Sequence, residues 1–210
     1  MIRNLARGVQ SFTSNAFLVT GERTALVDVG NEFDVVEAVR EHTADLDAVV
    51  LTHTHYDHVG NLADVVAAFD VEVWGQDPAQ DGVDHGIEDG DHVTLGDHDY
   101  LAVHTPGHKE DHLCFYSAAA DVLFAGDLVF ANGSFGRTDL EEGDRDTLVD
   151  SIARLLDVID EELAEMHTGH GPSVTDTPYR DVGSPGRPLN SEAAGTSQPK
   201  VQFRLQVGER

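Results

Sequence analysis

The chain holds 210 residues, 40% of them hydrophobic and 25% charged, enough for one domain that buries about 70% of its unfolded surface. Asp and Glu number 39 against 13 Lys and Arg, giving a formal net charge of −26, which argues against nucleic-acid backbones as partners in dilute solution. No apolar stretch approaches the ~20 residues that span a bilayer, so no membrane partner is expected either.

Only two of the basic residues are lysine, Lys109 and Lys200. An acidic, lysine-poor surface suits a very salty cytoplasm, where a Debye length of ~3 Å at molar salt makes self-repulsion tolerable. The segment 1–7 lacks the apolar core of a secretory signal. Cys114 stands alone, so it forms no internal disulfide, which also fits a cytoplasmic protein. Set in Leu113-Cys114-Phe115-Tyr116, it reads as a small buried hydrophobe rather than a reactive thiol.

In chain order, residues 16–20 and 24–29 read as strands around the turn Gly21-Glu22-Arg23. Residues 32–42 carry Phe33, Val36, Ala38 and Val39 near helical spacing. A strand over 47–51 leads into a histidine-rich loop. A helix over 61–69 follows, with Leu62, Val65, Val66 and Phe69 on one face, then a strand over 71–74. The acidic, glycine-dotted stretch 75–90 reads as a loop. Strands are expected at 92–95, 100–103, 113–116 and 122–125. Leu148, Ile152, Leu155 and Leu156 carry a helix over 146–158, and a strand near 163–166 comes after it. Residues 1–181 therefore make one domain. From Val182 to Lys200 the composition is that of an extended linker. The alternating segment 201–207 could add an edge strand or dock on a second copy, a route to a homo-oligomer.

The chemistry is concentrated in Thr52-His53-Thr54-His55-Tyr56-Asp57-His58, directly after the apolar residues 48–51. Neutral imidazole is the commonest metal ligand, and carboxylate is a second good ligand for zinc, iron or manganese. Burying these groups together requires something to coordinate or neutralise them. Further donors end later strands in loops held by glycine or proline. They are His108 in Thr105-Pro106-Gly107-His108, Asp127 in Gly126-Asp127, and His170 in Gly169-His170-Gly171-Pro172. With His53, His55, Asp57 and His58 they make five imidazoles and two carboxylates. That is enough for two divalent ions sharing Asp127, each with a position left for water. A polar loop with scattered histidines would not repeat this placement at strand ends.

These motifs, in this order over about residues 15–175, resemble the metallo-β-lactamase-fold hydrolase superfamily. The resemblance implies an α/β (α+β) fold, a four-layer αββα sandwich with metals at one edge of two mixed sheets. It implies that His53, His55 and His108 hold one ion and Asp57, His58 and His170 the other, with Asp127 bridging. Zinc is the expected metal, iron or manganese the alternatives. Asp28 resembles the buried strand-end aspartate that supports the histidine loop from behind. Gly133-Ser134-Phe135-Gly136-Arg137-Thr138-Asp139, followed by Gly143-Asp144, is similar to the glyoxalase II-like subgroup, whose compact members hydrolyse hydroxyacyl thioesters of glutathione. This sequence has no counterpart of the C-terminal helical domain of full-length glyoxalase II, which leaves the thiol half of a substrate open.

The remaining candidates divide by surroundings. His112 is expected behind the site or in its pocket, and His167 as structural or exposed. His42, His85, His92 and His98 lie in acidic surface segments. Arg137 could grip an anionic substrate group, but an ion pair with Asp139 or Asp144 is the preferred reading. The expected reaction is attack of a metal-bridging hydroxide on a small-molecule thioester, with Asp57 orienting the water or accepting its proton. The alternative is a persulfide dioxygenase, which would use His53, His108 and Asp127 around a single iron. A nuclease role would need a basic patch, which the sequence lacks, and a non-catalytic module would have no use for the complete donor set.

Overall fold

The computed structural model describes residues 1–184, so the alternating segment 201–207, and with it the expected edge strand, lies outside the described residues. Strands β1 (Ile2–Asn4), β2 (Phe17–Val19), β3 (Ala25–Val27), β4 (Ala48–Val50), β5 (Val73–Gly75) and β6 (His85–Gly86) form one sheet in that order. Its first three strands pair antiparallel and the rest parallel. The second sheet comprises β7 (His92–Leu95), β8 (His98–His104), β9 (Leu113–Ser117), β10 (Val122–Gly126) and β11 (Glu165–Thr168), ordered β11-β10-β9-β8-β7. Only the β10–β11 pair is parallel.

Strands β2, β3, β4, β9 and β10 are buried at every position because both faces of each sheet are covered. Successive side chains alternate between faces. Phe17, Val19, Val27 and Val50 of the first sheet meet Tyr100, Ala102, Phe115 and Phe124 of the second. The Phe17 and Phe124 rings pack edge to face, 5.7 Å between centroids. The intervening Leu18, Leu26 and Val49 face helices α1 (Val35–Arg40) and α3 (Leu62–Phe69) through Val35, Val39, Leu62 and Val65. Val103, Cys114, Leu123 and Ala125 face α4 (Arg145–Leu156) and α5 (Pro178–Val182) through Leu148, Ile152, Leu155 and Val182. The result is four layers, helices outside two sheets. Each fully buried Phe or Leu contributes ~1.5–3 kcal/mol through its area removed from water.

Local chemistry sets the helix ends. Asp34 and Asp144 cap α1 and α4 by accepting from the backbone N–H groups of Glu37 (2.9 Å) and Thr147 (2.7 Å), which satisfies a donor the helix leaves unpaired. The expected helix over 32–42 is accordingly shortened to Val35–Arg40, because Glu32 sits at φ 56° and Asp34 takes the capping position. The strand expected at 163–166 is displaced to Glu165–Thr168, since Leu163 is drawn into the core beneath α4. The stretch 75–90 contributes the two-residue strand β6, and part of the expected histidine loop is α2 (Tyr56–Val59). Val182 is not the start of an extended linker but the last residue of α5, fully buried.

Candidate metal centre

Strand direction brings the donors together. β9 is antiparallel to both β8 and β10, so β8 and β10 run the same way, and β11 is parallel to β10. His108, Asp127 and His170 follow the C-terminal ends of these three strands. Asp28 and the histidine run follow the C-terminal ends of the parallel pair β3 and β4 in the other sheet. Two sheets thus converge on one edge, the usual place for a site built from parallel strand ends. Glycine makes the closest approach possible, for a Cβ at Gly169 would overlap Asp127 Oδ1 and crowd His58.

The seven expected donors fall into three overlapping groups: His53, His55 and His108; His53, His58 and Asp127; Asp57, His58 and His170. Within each group one ligand atom per residue lies within 4.8 Å of the others. His55 Nδ1 lies 3.1 Å from His53 Nε2 and 2.9 Å from His108 Nε2. His170 Nε2 is 3.0 Å from Asp57 Oδ2 and 3.5 Å from Asp127 Oδ2.

Residues 10–79 and 74–177 match the profile of the Metallo-beta-lactamase superfamily. The chain belongs to this superfamily. The hydroxyacylglutathione hydrolase of Serratia proteamaculans is 36% identical over 140 residues, 66% of this chain and 54% of that protein. The hydroxyacylglutathione hydrolase GloC of Haemophilus influenzae is 29% identical over 192 residues, 80% of this chain and 90% of that protein. The crystal structure of TTHA1623 in a di-iron-bound form is 34% identical with a TM-score of 0.68, covering 80% of this chain and 92% of that one. The chain spans little more than half the length of several curated relatives, 54% and 57% in two of them.

Metallo-beta-lactamase superfamily membership implies divalent metal binding, and the protonation pattern fits it. The Thr52 hydroxyl donates to Asp28 Oδ2 (2.7 Å) and so accepts from His53 Nδ1 (3.1 Å). His108 Nδ1 donates to the Arg137 carbonyl (2.7 Å). These outer partners assign the tautomers and leave a lone pair on each Nε2. Both lone pairs converge on His55 Nδ1, whose single N–H could serve only one of them, whereas a cation would serve all three nitrogens. Zinc–nitrogen bonds of ~2.0–2.1 Å in a tetrahedron put nitrogens about 3.4 Å apart, close to the spacing found. His58 likewise gives its Nδ1 proton to Asp28 (2.8 Å), and its Nε2 faces Asp127 Oδ1 at 3.5 Å. Neither of those atoms has a hydrogen-bond partner although both are buried. A neutral His58 would thus set two acceptors face to face in a dry site, which calls for a metal ion or a second proton between them.

Electrostatics divide the superfamily cluster in two. Burial, aided by neighbouring histidines, holds His53 well below its ordinary pKa and His55 at about 4. Burial also lowers His108. These rings are neutral and ready to coordinate. Burial opposes charge on His58 as well, but Asp28 and Asp127 outweigh it and push its pKa well above the ordinary value. For His170 the hydrogen bonds to Asp127 and Asp57 overcome burial and raise it to about 9. Burial alone would raise Asp57 and Asp127, yet His170 lowers the first, and His58 with His170 holds the second far down. Protons on His58 and His170 therefore neutralise these carboxylates in the metal-free protein.

Asp28, at φ 55° and 2% exposed, lies behind the histidine loop. It also accepts the Thr52 backbone N–H at 2.8 Å. His112 holds no donor position. Its Nε2 accepts the backbone N–H of Asp127 at 3.0 Å and its Nδ1 donates to Thr105 Oγ1 at 2.8 Å, which anchors the loop that carries Asp127. Arg137 forms the expected ion pair, both guanidinium contacts to Asp139 measuring 2.9 Å, and serves the centre through its carbonyl. His167 is buried in β11 rather than exposed, between the rings of Phe17 and Phe124. The sequence did not single out Thr52 and Thr105, nor the mouth of the site. That mouth is a cavity of about 400 Å³ whose apolar rim is Phe12, Tyr56, Phe130 and Leu140. Phe12 and Tyr56 are 69% and 67% exposed, an unusual cost in apolar exposure beside a polar centre.

Proposed function

We propose that the chain is a two-metal hydrolase of small acyl thioesters, with zinc as the preferred ion. The observation that carries the reading is the pair of donor groups, His53–His55–His108 and Asp57–His58–His170, joined by Asp127 through the third group. Two divalent ions bound there would acidify a water and polarise a carbonyl oxygen. The imidazole-rich set suits zinc, and carboxylates in the second group also admit iron or manganese.

The chain's own residues do the positioning. Asp57 keeps its carboxylate charged at neutral pH because of His170. It would accept a hydrogen bond from an attacking water and hold its lone pair toward the substrate carbonyl, a better orienter than base at that pKa. Burial and the Asp28 and Arg137 anchors fix the donor rings, so little reorganisation is needed. The rim of Phe12, Tyr56, Phe130 and Leu140 would receive the acyl group and exclude water from the carbonyl. No strong acid is required on the leaving side, because a thiol of pKa ~8.5 departs readily as thiolate. The cations nearest the mouth are already committed: Arg137 to Asp139, and buried Lys109 to Asp111 and Glu142 at 3.3 and 3.1 Å.

The test is metal content of protein purified without added metal, followed by parallel thioester and persulfide assays. Two ions per chain and thiol release without oxygen uptake are expected. One iron per chain, with oxygen consumed in the presence of a low-molecular-weight persulfide, would replace this reading with a dioxygenase.

A further inference from the structure

A second cavity, of about 860 Å³, opens between β1, the segment 6–15 and the end of β11. It shares no lining residue with the mouth of the metal centre, yet the two alternate along the chain. Phe12 and His170 line the mouth, while Ser11, Thr13 and Gly171 line the second cavity. Asn15 forms the wall. Its amide donates to the carbonyls of Thr168 (2.7 Å) and Gly171 (2.9 Å) and accepts from Asn4 Nδ2 (2.8 Å).

The cavity's charge is unlike that of the rest of the chain. Arg3 and Arg7 line it, and neither has a carboxylate partner among the described residues, in a chain with 39 acidic side chains. Lys109, Arg137 and Arg154 each hold one, but among the described residues Arg23, Arg40, Arg145 and Arg180 also stand outside ion pairs. What sets this cavity apart is that it gathers two such arginines beside one carboxylate, Glu165. His167 lines the same space, 6% exposed, its ring fixed between Phe17 and Phe124. Its Nδ1 is bonded to Ser173 Oγ at 2.8 Å, but its Nε2 has no hydrogen-bond partner. Burial lowers its pKa to about 4, so the ring is neutral and carries one N–H. Either partner can donate in the Ser173 contact, but a bare Nε2 lone pair would face the Glu165 carboxylate 3.4 Å away, so the N–H is placed on Nε2, where no acceptor lies in hydrogen-bond geometry. Glu165 is the one carboxylate lining the cavity. It is largely exposed, and its Oε2 stands 3.4 Å from Nε2 outside hydrogen-bond geometry.

We propose that this cavity binds a small molecule bearing an oxyanion, a carboxylate or a phosphate, gripped by Arg3, Arg7 and the Nε2–H of His167. Guanidinium forks suit planar or tetrahedral oxyanions. The buried N–H supplies a fixed directional donor, and the volume is that of a small-molecule site. The site is independent of the metal centre.

The test titrates the metal-loaded full chain with inorganic phosphate or with acetate, replacing chloride at constant ionic strength, and follows backbone amide chemical shifts. Saturable shifts are expected at residues 3–8, at Gly171 and at Ser173. Affinity should weaken about tenfold for each of Arg3→Gln and Arg7→Gln, the loss expected for a charge-assisted contact, with metal content unchanged. The anion that saturates at lower concentration identifies the head group. Shifts that do not saturate, shifts confined to the surroundings of His55 and His108, or shifts undiminished in the double variant overturn the proposal.

Discussion

Asp28→Asn tests whether the centre is controlled from behind. The substitution keeps volume, and asparagine tolerates the left-handed φ of 55° at this position. Asp28 Oδ2 accepts from the Thr52 hydroxyl at 2.7 Å and from His58 Nδ1 at 2.8 Å, while Oδ1 accepts the Thr52 N–H. If the amide oxygen stays on the Thr52 N–H, the new NH₂ faces His58 Nδ1 and donates to it. His58 must then carry its proton on Nε2, the atom that faces Asp127 Oδ1 and that a metal requires. Reversing that tautomer against its partner costs about 1.4–2.7 kcal/mol, equivalent to the 10–100-fold affinity losses typical of such supporting residues. His53 is reached only through the Thr52 hydroxyl, so the first donor group should lose less. Metal analysis after equilibration with graded chelator measures both sites. One ion should be retained at native free-metal concentrations and the second should dissociate at 10–100-fold higher concentration. Both ions retained as in the unaltered protein, or both lost together, would refute the reasoning.

Other outcomes follow from the same geometry. Asp127→Ala and His55→Ala should each abolish turnover while leaving the far-ultraviolet circular dichroism unchanged, and thioesterase activity surviving in metal-loaded Asp127→Ala would sink the two-metal reading. Loading the second donor group should release protons, because His170 titrates at about 9 and is protonated at neutral pH. Calorimetry in buffers of different ionisation enthalpy should therefore show affinity for the second ion rising with pH up to about 9, and a pH-independent second site would contradict it. In the metal-free protein His55 and His167, both held at about 4, bind protons more readily once unfolded. Their contribution to stability should be lost as pH falls from about 6.5 toward 4, whereas that of His170, complete below about 6.5, should be lost as pH rises through about 9. Denaturant midpoints across pH measure the two limbs. The net charge of −26 should make the thermal midpoint climb between dilute and molar potassium chloride, and a flat profile would remove the salty-cytoplasm reading.

The donors were legible because each sits at the end of an apolar strand, and strand ends are where a sheet can both fix a side chain and expose it. What escaped was whatever depends on partners far away in sequence. Thr52 has no signature of its own, and its role exists only because Asp28, 24 residues earlier, accepts both its donors. Tyr56–Val59 is too short for helical periodicity to show. β1 is held to β2 by backbone pairing rather than by any apolar pattern, and His85–Gly86 makes a strand of two residues. Val182 reads as linker because its neighbours are polar, yet the core beneath α4 and α5 takes it. Phe12 stands between Ser11 and Thr13 with no pattern to mark it, and only the fold brings it to Tyr56 and Leu140.

The centre also joins the two halves of the sandwich. His53, His55, Asp57 and His58 leave the first sheet, and His108, Asp127 and His170 leave the second. Metal-free, the edge where the sheets meet gathers carboxylates, and the protons on His58 and His170 offset their charge. A metal ion and a proton therefore compete for the same positions between the same carboxylates. Ions that bind the folded chain but not the unfolded one stabilise it by about 2.7 kcal/mol at a hundredfold excess over Kd. Part of that gain is spent expelling the two protons, so metal should stabilise the fold more strongly at alkaline than at neutral pH. The first donor group, already neutral, has no such debt and should fill first.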